Sequence, residues 1–222
     1  MRRGEDTVAI TRKKPTFAKP EFIGRAEIVA SGTLEGGLKW VLDEDGLLTI
    51  EGTGNMLGIH WYENIANPWQ DEKEKIRKVY IAEGITNIRE WAFQNCSNLH
   101  SITVSNSVTE IGEYAFSNCV SLRSITIPNG VTKIGTGAFD GCCSLRSITI
   151  PNGVTKIGAW AFCGCCSLNS IAIPDSVRKL GDSIFLGCDN LQHVQMPIRF
   201  NKFFLWGYNI RYACSEDIVE FV

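Results

Sequence analysis

The dominant feature of the sequence is a repeat of 23 residues. Leucine and phenylalanine show it most clearly, because each recurs five times at this spacing. The repeated positions are Leu99, Leu122, Leu145, Leu168 and Leu191, and Phe93, Phe116, Phe139, Phe162 and Phe185. Residues 121–135 and 144–158 are the same fifteen letters, SLRSITIPNGVTKIG. A fixed period of this length predicts a repeat architecture built from one recurring structural unit.

The pattern within one unit predicts its local structure. Ile125 and Ile127 alternate with polar residues, which is the period of a strand with one buried face. Residues 128–130, Pro-Asn-Gly, end that strand, because proline has no amide hydrogen and Asn-Gly tolerates positive φ. A second extended piece ends at Gly135, and the apolar spacing over residues 138–142 then predicts about one helical turn.

The last residues of this predicted helical turn also follow the repeat. Asparagine or glycine occupies one position in every unit, as expected where a helix ends in a left-handed residue. These residues are Asn95, Asn118, Gly141, Gly164 and Gly187.

One coil of this length cannot bury so many apolar positions alone, so neighbouring coils must stack and share them. We therefore expect an α/β repeat solenoid, a right-handed stack with a parallel sheet on one face and short helical turns on the other. Strands of successive coils then lie about 4.8 Å apart, and the bulkier helical turns spread the coils and curve the stack.

The repeat units resemble a known family. Units such as SLRSITIPNGVTKIGTGAFDGC and SLNSIAIPDSVRKLGDSIFLGC resemble the BspA-type leucine-rich repeat, a 23-residue class common in surface proteins of gut and oral bacteria. The resemblance covers about Ile76 to Pro197, and the segment before the repeats resembles the flank that often precedes them. It implies an open, curved scaffold at the cell surface that adheres to host or matrix proteins or to other cells. It implies no chemistry.

The ends of the stack require caps, because terminal coils otherwise expose their apolar faces. Residues 38–42 and 47–51 predict a hairpin around Asp45-Gly46, and Asn67 predicts the N-cap of a helix through about Ile76. The C-terminal segment is rich in aromatic residues and predicts either a cap on the last coil or an exposed surface for a partner. Its aromatic residues are Phe200, Phe203, Phe204, Trp206, Tyr208, Tyr212 and Phe221.

These features divide the chain into four expected parts. They are a flexible basic leader over residues 1–25, an N-terminal cap over 26–75, the repeats over 76–197 and an aromatic C-terminal cap over 198–222.

Charge and hydropathy exclude several function classes. The chain has 22 Lys and Arg against 24 Asp and Glu, so it is not a basic nucleic-acid binder. No stretch approaches the roughly 20 apolar residues of a membrane-spanning helix. The N-terminal residues also lack the apolar core of a secretory signal. The family resemblance suggests a cell-surface or secreted protein, while the missing signal and unpaired thiols fit a cytoplasmic one equally well.

The nine cysteines follow the architecture more than any metal-site pattern. Five of them, Cys96, Cys119, Cys142, Cys165 and Cys188, form one repeat column that we expect to be buried for packing. Cys143 and Cys166 form a second column, with Cys163 nearby, and adjacent coils could bring them close enough for a disulfide. The cluster lacks paired C-x-x-C motifs and a nearby histidine, which disfavours zinc, and no cofactor is implied.

No catalytic set is visible. The histidines, His60, His100 and His193, share no column and have no recurring Ser or Cys partner, so we expect no enzyme activity.

The leading hypothesis is a binding module for a host matrix protein, a cell-surface protein or a glycan. The alternative is a structural spacer or a unit that self-associates through its end coils.

Two surfaces are candidates for binding. The outward positions of the main sheet form a flat, hydroxyl-lined, mildly basic strip without an aromatic anchor. The strip consists of Arg123, Ser124, Thr126, Arg146, Ser147, Thr149, Asn169, Ser170 and His193. The second candidate is a row of aromatic residues on the predicted helical turns, which we expect to be partly exposed. This row contains Trp91, Tyr114 and Trp160.

Overall fold

The computed structural model describes residues 26–34, 36–56, 67–200 and 218–222. The predicted basic leader therefore lies outside the described residues, as does most of the aromatic C-terminal segment. Two short 3₁₀ helices are described, Gln70–Lys75 and Ile198–Phe200. The strands, in chain order, are β1 (Ile28–Thr33), β2 (Lys39–Asp43), β3 (Leu47–Glu51), β4 (Lys78–Ile81), β5 (Asn87–Ile88), β6 (Ser101–Val104), β7 (Glu110–Ile111), β8 (Ser124–Thr126), β9 (Lys133–Ile134), β10 (Ser147–Thr149), β11 (Lys156–Ile157), β12 (Ser170–Ala172), β13 (Lys179–Leu180), β14 (His193–Met196) and β15 (Val219–Phe221).

The strands form a β-solenoid of about six turns. The first sheet has the order β1-β2-β3-β4-β6, the second β8-β10-β12-β14-β15 and the third β5-β7-β9-β11-β13. Strands β6 and β8 contact each other, so the first two sheets follow one another along the same side of the stack. The third sheet collects the second extended piece of each coil, which confirms that each unit contains two strands.

Successive coils pair in parallel and in the register that the repeat predicts. Ser147 aligns with Ser124 and Thr149 with Thr126, each 23 residues apart. In the third sheet Lys156 aligns with Lys133 in the same way. Because equivalent residues occupy equivalent positions, each sequence column becomes a row of side chains along the stack.

The leucine, isoleucine and phenylalanine columns all point inward and form one continuous apolar core. The five phenylalanine rings stack face to face, with centroid separations between 5.4 and 6.1 Å. Burying one such side chain contributes about 2–3 kcal/mol, and each ring pair adds about 0.5–1.5 kcal/mol. Because this interior is shared between coils, a single 23-residue coil cannot bury its apolar residues alone.

The predicted helical turns are wrong: the structure has hydrogen-bonded turns on this side of each coil. In the coil that contains Phe139, the backbone N–H groups of Gly137, Phe139 and Gly141 donate to carbonyls of the next coil at 2.8 Å. The alternate N–H groups of Ala138 and Asp140 donate to carbonyls three residues earlier. A helix would direct every N–H group along its own axis and leave none for the neighbouring coil.

This hydrogen-bonding pattern requires left-handed residues at both ends of the turn segment. The predicted Asn/Gly column is confirmed, with φ between 57 and 73° from Asn95 to Gly187. A second left-handed column was not predicted from the sequence; it consists of Trp91, Tyr114, Gly137, Trp160 and Ser183. Backbone hydrogen bonds join the coils on the turn side too, so the described coils have turns where helices were expected to spread and curve the stack.

The predicted N-terminal hairpin is confirmed, but the helix after it differs from expectation. Strands β2 and β3 pair antiparallel, and β3 continues in parallel onto β4, the first strand of the solenoid. The helix is a short 3₁₀ segment whose N-cap residue is Trp69, without a side-chain cap. Asn67 instead donates to the carbonyl of Trp91 at 2.8 Å and accepts a hydrogen bond from Arg89.

Trp69 explains this difference, because its ring closes the N-terminal end of the core. It stacks on Phe93 at 5.7 Å and meets the Trp40 ring edge-on at 5.8 Å. Its indole N–H donates to the carbonyl of Ala92 at 2.9 Å. The buried Trp69 side chain and its hydrogen bond thus hold residues 67–70 against the solenoid.

At the other end, β15 adds a parallel strand to β14. Phe200 is buried in the core and Phe221 packs against it. The other aromatic residues of the predicted C-terminal cap, residues 203–212, lie outside the described residues.

Candidate binding surfaces

The second sheet places the predicted binding strip on one face. Its strands alternate strictly, so Ile125, Ile148 and Ile171 point into the core while their neighbours point outward. The in-register pairing forms one row that begins with Ser124 and ends with His193 and a second row that begins with Thr126. All nine residues of the predicted strip are exposed, and the structure brings them together on adjacent coils.

A third row precedes these two and carries the charge. The backbone N–H of Arg146 donates to the carbonyl of Arg123 at 3.2 Å, and that of Asn169 donates to Arg146 at 3.4 Å. Both arginines are exposed, and neither forms an ion pair with a described residue. The face therefore offers guanidinium and hydroxyl groups whose hydrogen-bonding capacity is available to a partner.

The aromatic row is divided into two separate patches. The rings of Trp91 and Tyr114 are nearly parallel, at 2°, with centroids 6.4 Å apart, and both residues are half-buried. The Tyr114 ring leans over Gly137, where an added Cβ would lie 2.3 Å from its Cε1 atom. Trp160, one coil further, is 44% exposed. Tyr114 thus fills the space left by the glycine, which makes part of this row structural.

The third sheet carries a row of lysines with a different environment. Lys133 forms an ion pair with Glu110 at 2.5 Å, whereas Lys156 and Lys179 are exposed. Burial, followed by the neighbouring carboxylate of Glu113, raises the pKa of Glu90. This side of the solenoid is a mixed-charge surface, and it provides matched control positions for the second sheet.

The interior cysteine column is buried as predicted and has a defined bonding role. The thiols of Cys119, Cys142, Cys165 and Cys188 donate to phenylalanine carbonyls at 3.1–3.3 Å, each 26 residues earlier in the chain. Burial raises the pKa of Cys142 well above its usual range. These thiols therefore remain protonated and bridge neighbouring coils.

The second cysteine column lies nearer the surface. Cys143 and Cys166 are half-buried, and their sulfur atoms are 3.3 Å apart. Within the described part of the chain, no group of three His, Cys, Asp or Glu side chains could hold a metal ion.

The described histidines do not form a catalytic arrangement. His193 lies exposed on β14, while His100 is half-buried just before β6; His60 lies outside the described residues. None of the helices in the described ranges is long and apolar enough to cross a membrane.

The repeat region matches the model of a known family. The model of the BspA-type leucine-rich repeat region matches residues 70–192 in six copies. The chain belongs to the BspA-type leucine-rich-repeat family. Members of this family are typically bacterial surface proteins and serve as interaction modules, which agrees with a regular stack whose outward rows are exposed. No curated protein matches the chain in sequence.

Solved structures share the fold at low identity. The leucine-rich repeat protein of T. pallidum is 25% identical, with a TM-score of 0.55, and the match covers 75% of this chain and 72% of that one. The pneumococcal vaccine antigen PcpA is 19% identical, with a TM-score of 0.52, over 78% of this chain and 51% of that one. A leucine-rich cell surface protein of Faecalibacterium prausnitzii is 24% identical, with a TM-score of 0.45, over 75% and 54%.

Proposed function

We propose that this BspA-type repeat protein is a non-catalytic adhesion module of the bacterial cell surface that binds a protein ligand through the second sheet. The observation that supports this is the in-register exposure of the hydroxyl and arginine rows on β8, β10, β12 and β14. A flat surface of this kind can form many hydrogen bonds over a long contact, each of modest strength.

The chemistry of the strip favours a ligand with carboxylate and hydroxyl groups. Arg123 and Arg146 lie on adjacent coils and can each form charge-assisted hydrogen bonds with an acidic side chain. The Ser and Thr rows offer both donors and acceptors. An acidic segment of a host matrix or cell-surface protein fits this surface best, and a glycan is the second choice.

The test compares two variants of the full chain that differ in which sheet is altered. One carries R123Q, T126V, R146Q and T149V, which remove charge and hydroxyls but keep the strand-forming shapes. The control carries K156Q and K179Q on the third sheet, where both lysines are exposed. Binding to a panel of purified matrix proteins and envelope glycans is measured on immobilised ligand. We expect the first variant to lose at least about tenfold in affinity, about 1.4 kcal/mol, and the control to bind normally. Unchanged binding by the first variant excludes the second sheet.

A second candidate function is self-assembly through the ends of the stack. The outer strand β1 exposes Ile28 and Val29, and Ile198 and Val222 are exposed near β15 at the other end. Unpaired strand edges with apolar side chains are templates for pairing with another chain. Sedimentation over a hundredfold range of concentration distinguishes the two functions, because a spacer that assembles end to end increases in mass while an adhesion module does not.

A further inference from the structure

Two cysteines of adjacent coils lie close together outside the core. Cys143 and Cys166 are 23 residues apart and occupy the same column as Ser97, Val120 and Asp189. Their sulfur atoms are 3.3 Å apart, with Cys166 donating to Cys143. The other coils thus place a polar or apolar residue where these two coils place a thiol.

The local backbone holds the two thiols close together. The N–H of Ser167 donates to the carbonyl of Cys143 at 3.1 Å, which fixes one coil against the other. The carbonyl oxygen of Gly164 lies near both sulfur atoms, 3.4 Å from that of Cys143 and 3.2 Å from that of Cys166, and is an alternative acceptor for either thiol. Parallel coils about 4.8 Å apart place equivalent Cα atoms within the 4.4–6.8 Å range of disulfides. To form a bond, the sulfur atoms must approach from 3.3 Å to about 2.05 Å, which rotation of the two side chains can supply.

The environment of the pair distinguishes it from the other described cysteines. The interior thiols are buried and bonded to carbonyls, so an oxidant cannot reach them. Cys163 is half-buried as well, but it lies beside Asp140. Burial, followed by that carboxylate, raises the pKa of Cys163 to about 11. The pKa of Cys166 is raised as well, first by its hydrogen bond to Cys143 and then by burial. Among the described cysteines, Cys143 and Cys166 are therefore distinguished by their position, because they lie outside the core with sulfur atoms 3.3 Å apart.

The position of the pair within the sheet suggests what a bond would do. Cys143 and Cys166 lie four residues before the first residues of β10 and β12. The ladder between these strands has the single register pair Ser147 and Ser170, whereas β8 with β10 and β12 with β14 each have three pairs. A covalent link at this junction would reinforce the least paired step of the second sheet.

We propose that Cys143 and Cys166 are a redox modification site that closes into a disulfide and locks β10 to β12. The oxidant is a low-molecular-weight disulfide. One cysteine thiolate attacks it, forming a mixed disulfide and releasing one reagent thiol; the second cysteine then attacks the protein sulfur and releases the other. Two protein thiols lose two electrons, the reagent S–S bond breaks, the protein S–S bond forms, and the two protons end on the reagent thiols.

The first test is mapping of the full chain after equilibration with oxidised glutathione. The intact mass falls by about 2 Da when the bond forms. Cleavage after Lys133, Arg146, Lys156 and Arg178 then gives peptides 134–146 and 157–178 joined to each other. The variants C143S and C166S should lose the link and C163S should keep it. Serine is a suitable replacement, because Ser97 occupies this column in the first unit.

The second test is hydrogen exchange of the oxidised and reduced protein. Amides of β10 and β12 should exchange about tenfold more slowly when the bond is closed, while those of β4 remain unchanged. The proposal is overturned if no link forms, or if the link survives in C143S. Loss of the link in C163S overturns it too, because the bond would then involve a different sulfur. Equal exchange in both redox states overturns the locking role.

Discussion

Replacing Phe139 with alanine tests the continuous ring ladder most directly. Phe139 is fully buried and stacks on two rings, Phe116 at 5.4 Å and Phe162 at 5.7 Å. Truncating a buried phenylalanine destabilises by about 3–5 kcal/mol, and each lost ring pair accounts for about 0.5–1.5 kcal/mol. Phe185 is also fully buried, but among the described residues its single ring partner is Phe162 at 6.1 Å. We therefore expect Phe139→Ala to lower the free energy of unfolding by about 1 kcal/mol more than Phe185→Ala does.

The assay is urea unfolding of the full chain followed by far-ultraviolet circular dichroism. Phe139→Leu is the matched control, because it keeps most of the apolar volume and should lose less than half as much stability. Because each coil contacts only its neighbours, a destabilised central coil can let the two ends of the stack unfold separately. The dependence of the unfolding free energy on urea concentration would then decrease. Equal losses for Phe139→Ala and Phe185→Ala, or a loss below about 1 kcal/mol at Phe139, would refute the ladder as the source of stability.

Two further predictions concern the turn side and the thiols. Gly137→Ala should destabilise by about 1–3 kcal/mol, since an added Cβ would lie 2.3 Å from the Tyr114 Cε1 atom and the backbone there is left-handed, with φ of 55°. Thermal melts should show the part due to the ring contact disappearing in a Tyr114→Ala background while the part due to the backbone remains, and fully additive losses would contradict the contact. In the reduced protein at pH 8, iodoacetamide should label Cys143 and Cys166 before the interior cysteines. The labelling rate of Cys163 should increase as the pH approaches its pKa of about 11, because thiolate is the reactive form. Peptide mass spectrometry measures the label at each cysteine. Early labelling of Cys142 would contradict its burial.

The stack and its register follow from the repeat alone. Ile125 and Ile148 have the same neighbours in sequence, so each coil folds them in the same way. A parallel alignment offset by 23 residues buries both side chains. The same period-two alternation places Ser124 and Thr126 outward. The sequence could therefore predict which residues share a face, although it could not predict what binds there, because nearly identical small side chains carry little information on a partner.

The turn side could not be predicted as readily. The inward positions Ala138, Phe139 and Cys142 fit one turn of helix as well as they fit a chain whose alternate N–H groups point to the next coil. The signal that separates these possibilities is Gly137, which shares a column with Trp91 and Tyr114. A glycine there indicates a left-handed backbone, but aromatic residues seldom adopt that conformation, so the column gave no consistent indication.

The hydrogen bonds between coils have a consequence for how such a chain can vary in length. On the turn side each coil donates hydrogen bonds to the next coil, and elsewhere backbone N–H groups donate to the preceding one, in the same pattern from coil to coil. The contact formed after removing or duplicating a whole unit is therefore the contact that already exists. The length of the repeat region can therefore change by whole coils, each of which lengthens the second sheet by about 4.8 Å. The contacts between coils remain the same. The fifteen-residue identity of residues 121–135 and 144–158 is what recent duplication of one unit would leave behind.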